Sequence, residues 1–215
     1  MLVQTPSTIL KNDFRTWNAE HLYTVAEILK NTENTNTLLS VKEVILDIQG
    51  EIRLPIQTEK TLLILPLYGE VIISDFYESI SAGESLTIHC LAGKDVVIKN
   101  LIYHDKADFL IFEFEKQEEL QYHSKNELNF GLKNNIFRIS ETLSQPNFIG
   151  LYNGRAEGFY ALQHSENSIF GMVISGAFEF QNRLMENRDA IVLWGIHELE
   201  FEALSEDALI LFIEI

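Results

Sequence analysis

Apolar residues in this chain come in short runs, broken by glycines and polar turns. Leu62-Leu63-Ile64-Leu65 passes through Tyr68-Gly69 into Val71-Ile72-Ile73. Two β-rich runs joined at a glycine predict consecutive strands. The same punctuation recurs downstream. Val41–Ile48 ends at Gln49-Gly50, and Leu86–Leu91 follows a turn at Ala82-Gly83-Glu84. Gly93 precedes Val96–Ile98, and Asp108–Glu115 closes the block. Strands resume at Ile136–Ile139 and Phe148–Tyr152. They continue through Phe159–Leu162, Ile169–Ile174, Ala177–Phe180, Ala190–Trp194, Leu199–Ala203 and Ala208–Ile215. One stretch differs: Ala19–Lys30 places Leu22, Val25, Ile28 and Leu29 at roughly helical spacing. Asn31–Thr37 is polar and predicts a loop. Lys116–Asn135 is polar throughout and predicts the connection between two halves.

The halves resemble each other. LLILPLYGEVIIS in the first answers to IFGMVISGAFEFQ in the second, matching Gly69 to Gly176. The turn at Gly83-Glu84 answers to Arg188-Asp189, and ADFLIFEFE answers to EDALILFIE. A shared order of strand, Gly turn, strand, acidic turn and strand predicts two similar β units. Both Gly69 and Gly176 stand where a tight turn calls for positive φ. The expected architecture is all-β, with an N-terminal barrel over residues 1–120 and a C-terminal barrel over 121–215.

Composition narrows the partners. Sixteen basic against thirty-two acidic residues give a formal net charge of −16. Such a surface repels phosphate backbones and anionic lipids, so nucleic acid and membranes are not expected partners. Cys90 is the single cysteine, which leaves no internal disulfide and accords with a cytoplasmic setting. The first residues, MLVQTPSTILKNDFRTW, lack the basic start and apolar core of a signal peptide.

The chain resembles the pirin-like branch of the cupins. The segment NRDAIVLWGIHELEFEALSEDALILFIEI is similar to that family's terminal segment. YGEVIISD resembles its glycine turn, HCLAGKDVVIKN its Ala-Gly segment, and KNNIFRIS the opening of its second barrel. The resemblance implies two tandem cupin barrels of jelly-roll type, a bicupin. It also implies a metal, usually iron, in the first barrel, held by a His-x-His pair and a His-x-Glu pair. Counted from Gly69 and from Ala92-Gly93, those positions fall on Pro55, Gln57, Ile98 and Asn100. None is a normal ligand for iron, which takes imidazole nitrogens and a carboxylate in such sites. Ile52–Thr61 holds no histidine.

Two histidines, His164 and His197, read either as a residual site in the second barrel or as polar residues lining a mouth or surface. His164 occupies the place of the second histidine of the family pair, with Leu162 at the first. His197 alternates with Leu199 and Phe201, which would turn it inward. His89 reads as a satisfied strand residue, and His21, His104 and His123 as solvated. Tyr152, Phe159 and Tyr160, beside the turn Asn153-Gly154-Arg155, read as a pocket rim or as packing. No phosphate loop, dinucleotide fingerprint, nucleophile elbow or CxxC is present.

The expectation is a bicupin without the family's metal site and without a catalytic residue. It would bind a small molecule or a protein partner, with no cofactor. The alternative is a metal-dependent dioxygenase of the quercetinase kind, holding iron or another divalent metal at a relocated site. A structural role within a larger assembly is a third reading.

Overall fold

The computed structural model describes residues 5–31, 37–74, 76–117 and 123–215. Apart from one 3-10 turn at Asn12–Phe14, its regular elements are β-strands. No helix is long and apolar enough to cross a membrane among the described residues. The chain opens on β1 (Ser7–Leu10). There follow β2 (Trp17–Ala19), β3 (Tyr23–Lys30), β4 (Leu38–Leu46), β5 (Glu51–Ile56), β6 (Lys60–Tyr68), β7 (Glu70–Ile73) and β8 (Glu78–Ser81). Next come β9 (Glu84–Cys90), β10 (Lys94–Asn100), β11 (Ala107–Glu115), β12 (His123–Glu127) and β13 (Phe137–Arg138). The chain ends through β14 (Asn147–Tyr152), β15 (Glu157–Ala161), β16 (Ile169–Ser175), β17 (Phe178–Phe180), β18 (Arg183–Met185), β19 (Ala190–Leu193), β20 (Glu198–Ala203) and β21 (Ala208–Glu214).

These strands form two barrels, each from two antiparallel sheets. The first has a seven-stranded sheet, β12-β9-β6-β11-β4-β3-β2, and a four-stranded sheet, β5-β10-β7-β8. The second has a six-stranded sheet, β1-β19-β16-β21-β14-β13, and a four-stranded sheet, β15-β20-β17-β18. The duplication in the sequence is therefore a duplication of topology. The order β9-β6-β11-β4 repeats as β19-β16-β21-β14, and β5-β10-β7-β8 repeats as β15-β20-β17-β18. Gly69 and Gly176 stand at equivalent hinges with φ of 84° and 80°. The acidic turns match as well, with Gly83 at φ 97° and Arg188 at φ 68°.

Each barrel has its own core. In the first, Val44, Ile52, Leu62, Ile64, Val71, Leu86, Ile98, Phe109 and Ile111 belong to one buried cluster. In the second, Phe178, Phe180, Phe201 and Phe212 pack with Ile169, Ile191 and Ile210. Those four rings lie 6.0–6.5 Å apart in a chain of tilted and edge contacts. The last strand, β21, is buried at every position but Leu209.

Three details differ from the sequence reading. The helical spacing over Ala19–Lys30 belongs to strands. β3 pairs with β4, and a bulge between Glu27 and Leu29 shifts the alternation by one residue. That shift sets Val25, Ile28 and Leu29 at apparent helical spacing. The polar stretch Lys116–Asn135 contains β12, whose residues pair with β9 from His123↔Ile88 to Glu127↔Glu84. Finally, the units interleave instead of dividing once at residue 120. The residues through Phe14 group with Asn129–Ile139 and Gln145–Ile215, and Ser140–Ser144 group with Arg15–Leu128. The reason is edge pairing: β1 lies on β19 from Ser7↔Leu193 to Leu10↔Ala190, the place that β12 takes beside β9. Of the predicted loop Asn31–Thr37, residues 32–36 lie outside the described residues.

Candidate functional site

The first barrel's interior is the place to look for chemistry, because the family resemblance puts a metal there. On β5 the alternation is clear: Ile52 and Ile56 are buried, Leu54 is half-buried, and Glu51, Arg53 and Pro55 are exposed. Gln57, just beyond the strand, is exposed too. Pro55 and Gln57 therefore do not face the interior. A one-residue difference in register exchanges the faces of a strand, and the inward positions are Leu54 and Ile56. On β10, Ile98 is fully buried opposite Ile52, and Val96 lies opposite Leu54. Asn100, at 8 % exposure, is committed elsewhere. Its Nδ2 donates to the carbonyls of Asp47 (3.0 Å) and Asp105 (2.8 Å), and its Oδ1 accepts from the Ile102 amide at 2.8 Å. It ties two loops together with all of its hydrogen-bonding capacity save one lone pair.

Leu54, Ile56 and Ile98 thus present hydrocarbon where a divalent ion needs nitrogen or anionic oxygen donors. The residues here do not fit iron. Among the described residues, no group of three His, Cys, Asp or Glu is placed to hold a metal ion.

The two second-barrel histidines are exposed. His197 does not turn inward as the alternation predicts. Gly195, at φ 65°, bends the chain after Trp194, so that Ile196 takes the buried position and regular pairing begins only at Glu198. The backbones meet near them: the Leu162 amide donates to the His197 carbonyl at 3.0 Å. His21, His104 and His123 are exposed, and His123 packs its ring 5.5 Å from Phe76. His89 is half-buried on β9, and its Nδ1 has no hydrogen-bond partner among the described residues, so it is not satisfied as expected. Tyr152 and Tyr160 are core aromatics, whereas Phe159 is 72 % exposed. Burial alone pushes the Tyr152 phenol up to about 12.

Two carboxylates that the sequence did not single out lie on the inner faces of the barrels. Glu113 on β11 accepts from Lys42 at 2.5 Å and Lys60 at 2.9 Å. Burial acts to raise its pKa, but the two ammonium groups hold it below the usual carboxylate range. Glu214 on β21 is fully buried. It accepts from the Tyr160 hydroxyl (2.6 Å), the Gln163 amide (3.0 Å), the His164 amide (3.0 Å) and Asn167 Nδ2 (2.8 Å). Burial again opposes ionisation, and these four donors lower the pKa in spite of it. The Tyr160 hydroxyl is pushed well above its ordinary value by burial and by Glu214. Both glutamates read in sequence as polar ends of apolar strands, with nothing to separate them from surface residues.

Two concavities lie apart from these polar clusters. A groove of about 500 Å³ on the outer side of β15, β20 and β17 is lined by Glu157, Glu179, Glu198, Glu200 and Glu202, with Phe159 beside them. Among the described residues, Glu202 alone of these five has a basic partner, Arg155 at 3.3 Å. A smaller cavity of about 140 Å³ lies in the first barrel between β5, β9 and β10.

The comparisons agree with this geometry. Residues 150–215 match the family model of the quercetinase C-terminal cupin domain. Among curated proteins, no relative matches the chain. Among solved structures, YhhW from Escherichia coli superposes with a TM-score of 0.78 at 11 % identity, covering 97 % of each chain. The bacterial pirin YhhW in complex with nickel(II) gives 0.77 at 12 % identity, covering 97 % of this chain and 98 % of that one. Quercetin 2,3-dioxygenase from Acinetobacter baumannii gives 0.67 at 10 % identity, covering 96 % of this chain and 85 % of that one. The chain shares the two-barrel fold of these structures.

Proposed function

We propose that this chain is a non-catalytic pirin-like bicupin, a binding protein for a small molecule or a protein partner. One observation carries the reading: Leu54, Ile56 and Ile98, on the inner face of the first barrel, are hydrocarbon, and the nearby Asn100 spends its amide on two loops. Oxygen activation needs several donors acting together on one ion, and aliphatic carbons supply none. The net charge of −16 supports partners other than nucleic acid or membrane, and the single cysteine supports a cytoplasmic setting. The chain is purified without a histidine tag or chelators, supplied with iron, and assayed for bound metal and flavonol turnover together. The expected result is substoichiometric iron and no turnover. Near-stoichiometric iron with turnover overturns the reading, and its loss in His164→Ala or His197→Ala places the site in the second barrel.

A further inference from the structure

The cavity between β5, β9 and β10 has a floor of hydrocarbon. Ile56, Cys90 and Val96 are each 4 % exposed, and Phe76 and Leu91 add to this apolar part of the lining. At about 140 Å³ it matches the ~150 Å³ apolar cavity that holds one benzene ring in another protein. It is too small for a three-ring flavonol.

Its polar margin is asymmetric. His89, Lys94 and Asp95 line the cavity, and His89 Nδ1 has no hydrogen-bond partner among the described residues. Asp95 Oδ2 lies 3.3 Å from Arg53 Nη1, so its charge is engaged. Lys94 is exposed and makes no ion pair among the described residues. A one-ring volume, an apolar floor and an uncompensated ammonium at the margin together select a ligand. The geometry points to a binding site for a small aromatic carboxylate of benzoate size, with its ring on Ile56, Phe76, Cys90 and Val96 and its carboxylate on Lys94. Apolar contact supplies most of the attraction, and the placed polar group orients the ring. The chain's net charge of −16 disfavours anions in general, so any preference for the carboxylate over a neutral analogue reports the groups at this margin, and Lys94→Gln isolates the lysine's share. This deepens the reading of a non-catalytic binding protein. Its test is separate, because no metal enters it.

Cys90 is the chain's one cysteine and lies in the cavity wall, so its alkylation rate reports occupancy without engineering. The full-length chain is titrated with sodium benzoate, benzyl alcohol and benzylamine. Amide shifts of Ile56, Cys90 and Val96 are followed together with Cys90 alkylation. Benzoate is expected to shift these amides saturably and to slow alkylation at least threefold. It should bind more tightly than benzyl alcohol, and benzylamine most weakly. Lys94→Gln should weaken benzoate about tenfold while leaving benzyl alcohol unchanged. Val96→Trp, which fills the cavity, should abolish both. Should that variant fail to fold, Leu91→Trp at the more exposed side serves the same purpose. Three outcomes overturn the proposal: no saturable shift at these amides, equal affinity for benzoate and benzyl alcohol, or Lys94→Gln binding benzoate like the parent. None of them changes the iron content of the chain, so this proposal and the non-catalytic reading fail separately.

Discussion

Glu113 and Glu214 occupy the same position in the two barrels. Glu113 pairs across its sheet with Leu62, and Glu214 with Ile169. Leu62 and Ile169 stand equally far before the hinge glycines, Gly69 and Gly176. The two carboxylates are neutralised by opposite means. Glu113 takes two ammonium groups, and Glu214 takes four uncharged donors from Tyr160, Gln163, His164 and Asn167. A buried anion needs one solution or the other.

These solutions predict unequal costs for removing the charge. Glu214→Gln puts an amide NH2 against donors that need an acceptor, at a site without access to water. A cost of about 3 kcal/mol is expected. Glu113→Gln leaves Lys42 and Lys60 partly able to reach solvent, and about 1 kcal/mol is expected. Urea unfolding midpoints of the two variants settle the order. Equal midpoints would show that the equivalence extends to energy.

Acid should expose the same groups. Both glutamates have folded-state pKa values below their unfolded values. Their stabilisation is complete above the unfolded carboxylate range, near pH 4.3. It is lost as pH falls through the lowered folded values. Between pH 6 and pH 3, roughly the span around that range, the parent should lose stability more steeply than Glu113→Gln or Glu214→Gln. Parallel curves for parent and variants would contradict this assignment.

The hinge glycines are constrained twice over. At φ 84° and 80° a side chain costs about 1–2 kcal/mol from the backbone alone. A Cβ on Gly69 would also meet Ile102 Cδ1 at 2.9 Å and the Ala107 Cα at 3.1 Å, and one on Gly176 would meet Ser205 Oγ and Ala208. Gly69→Val and Gly176→Val should each lower the thermal midpoint by several degrees. Melting like the parent would refute the hinge role.

Strands with a strong apolar run were legible in the chain. β6, β11, β16 and β21 announce themselves because they are buried along nearly their whole length. The hinge glycines were legible because few other residues adopt their φ. Legibility failed where burial is partial. β12, His123–Glu127, alternates between exposed and half-buried, so an edge strand of polar residues looks like a linker. In β3 one bulged residue made a strand look helical. At the would-be metal site, counting from Gly69 lands on Pro55 and Gln57. The pleat turns Leu54 and Ile56 inward, and a one-residue ambiguity is enough to exchange the two sets. The chemistry is the same either way, because neither set contains an imidazole or a carboxylate.

The exchange of edge strands also bears on how the chain reaches its fold. β1 leaves the ribosome long before its partner β19. Until Ala190–Leu193 is made, Ser7–Leu10 has no ladder to join, and when β19 arrives its flank is bare until β1 returns. Such distant pairing is slow to form, and a bare strand flank is a template for association with other chains. A fragment begun near residue 129 would carry that exposed flank permanently. Dissecting this protein into its barrels therefore calls for a circular permutation that delivers β1 beside β19, not a cut at the middle of the sequence.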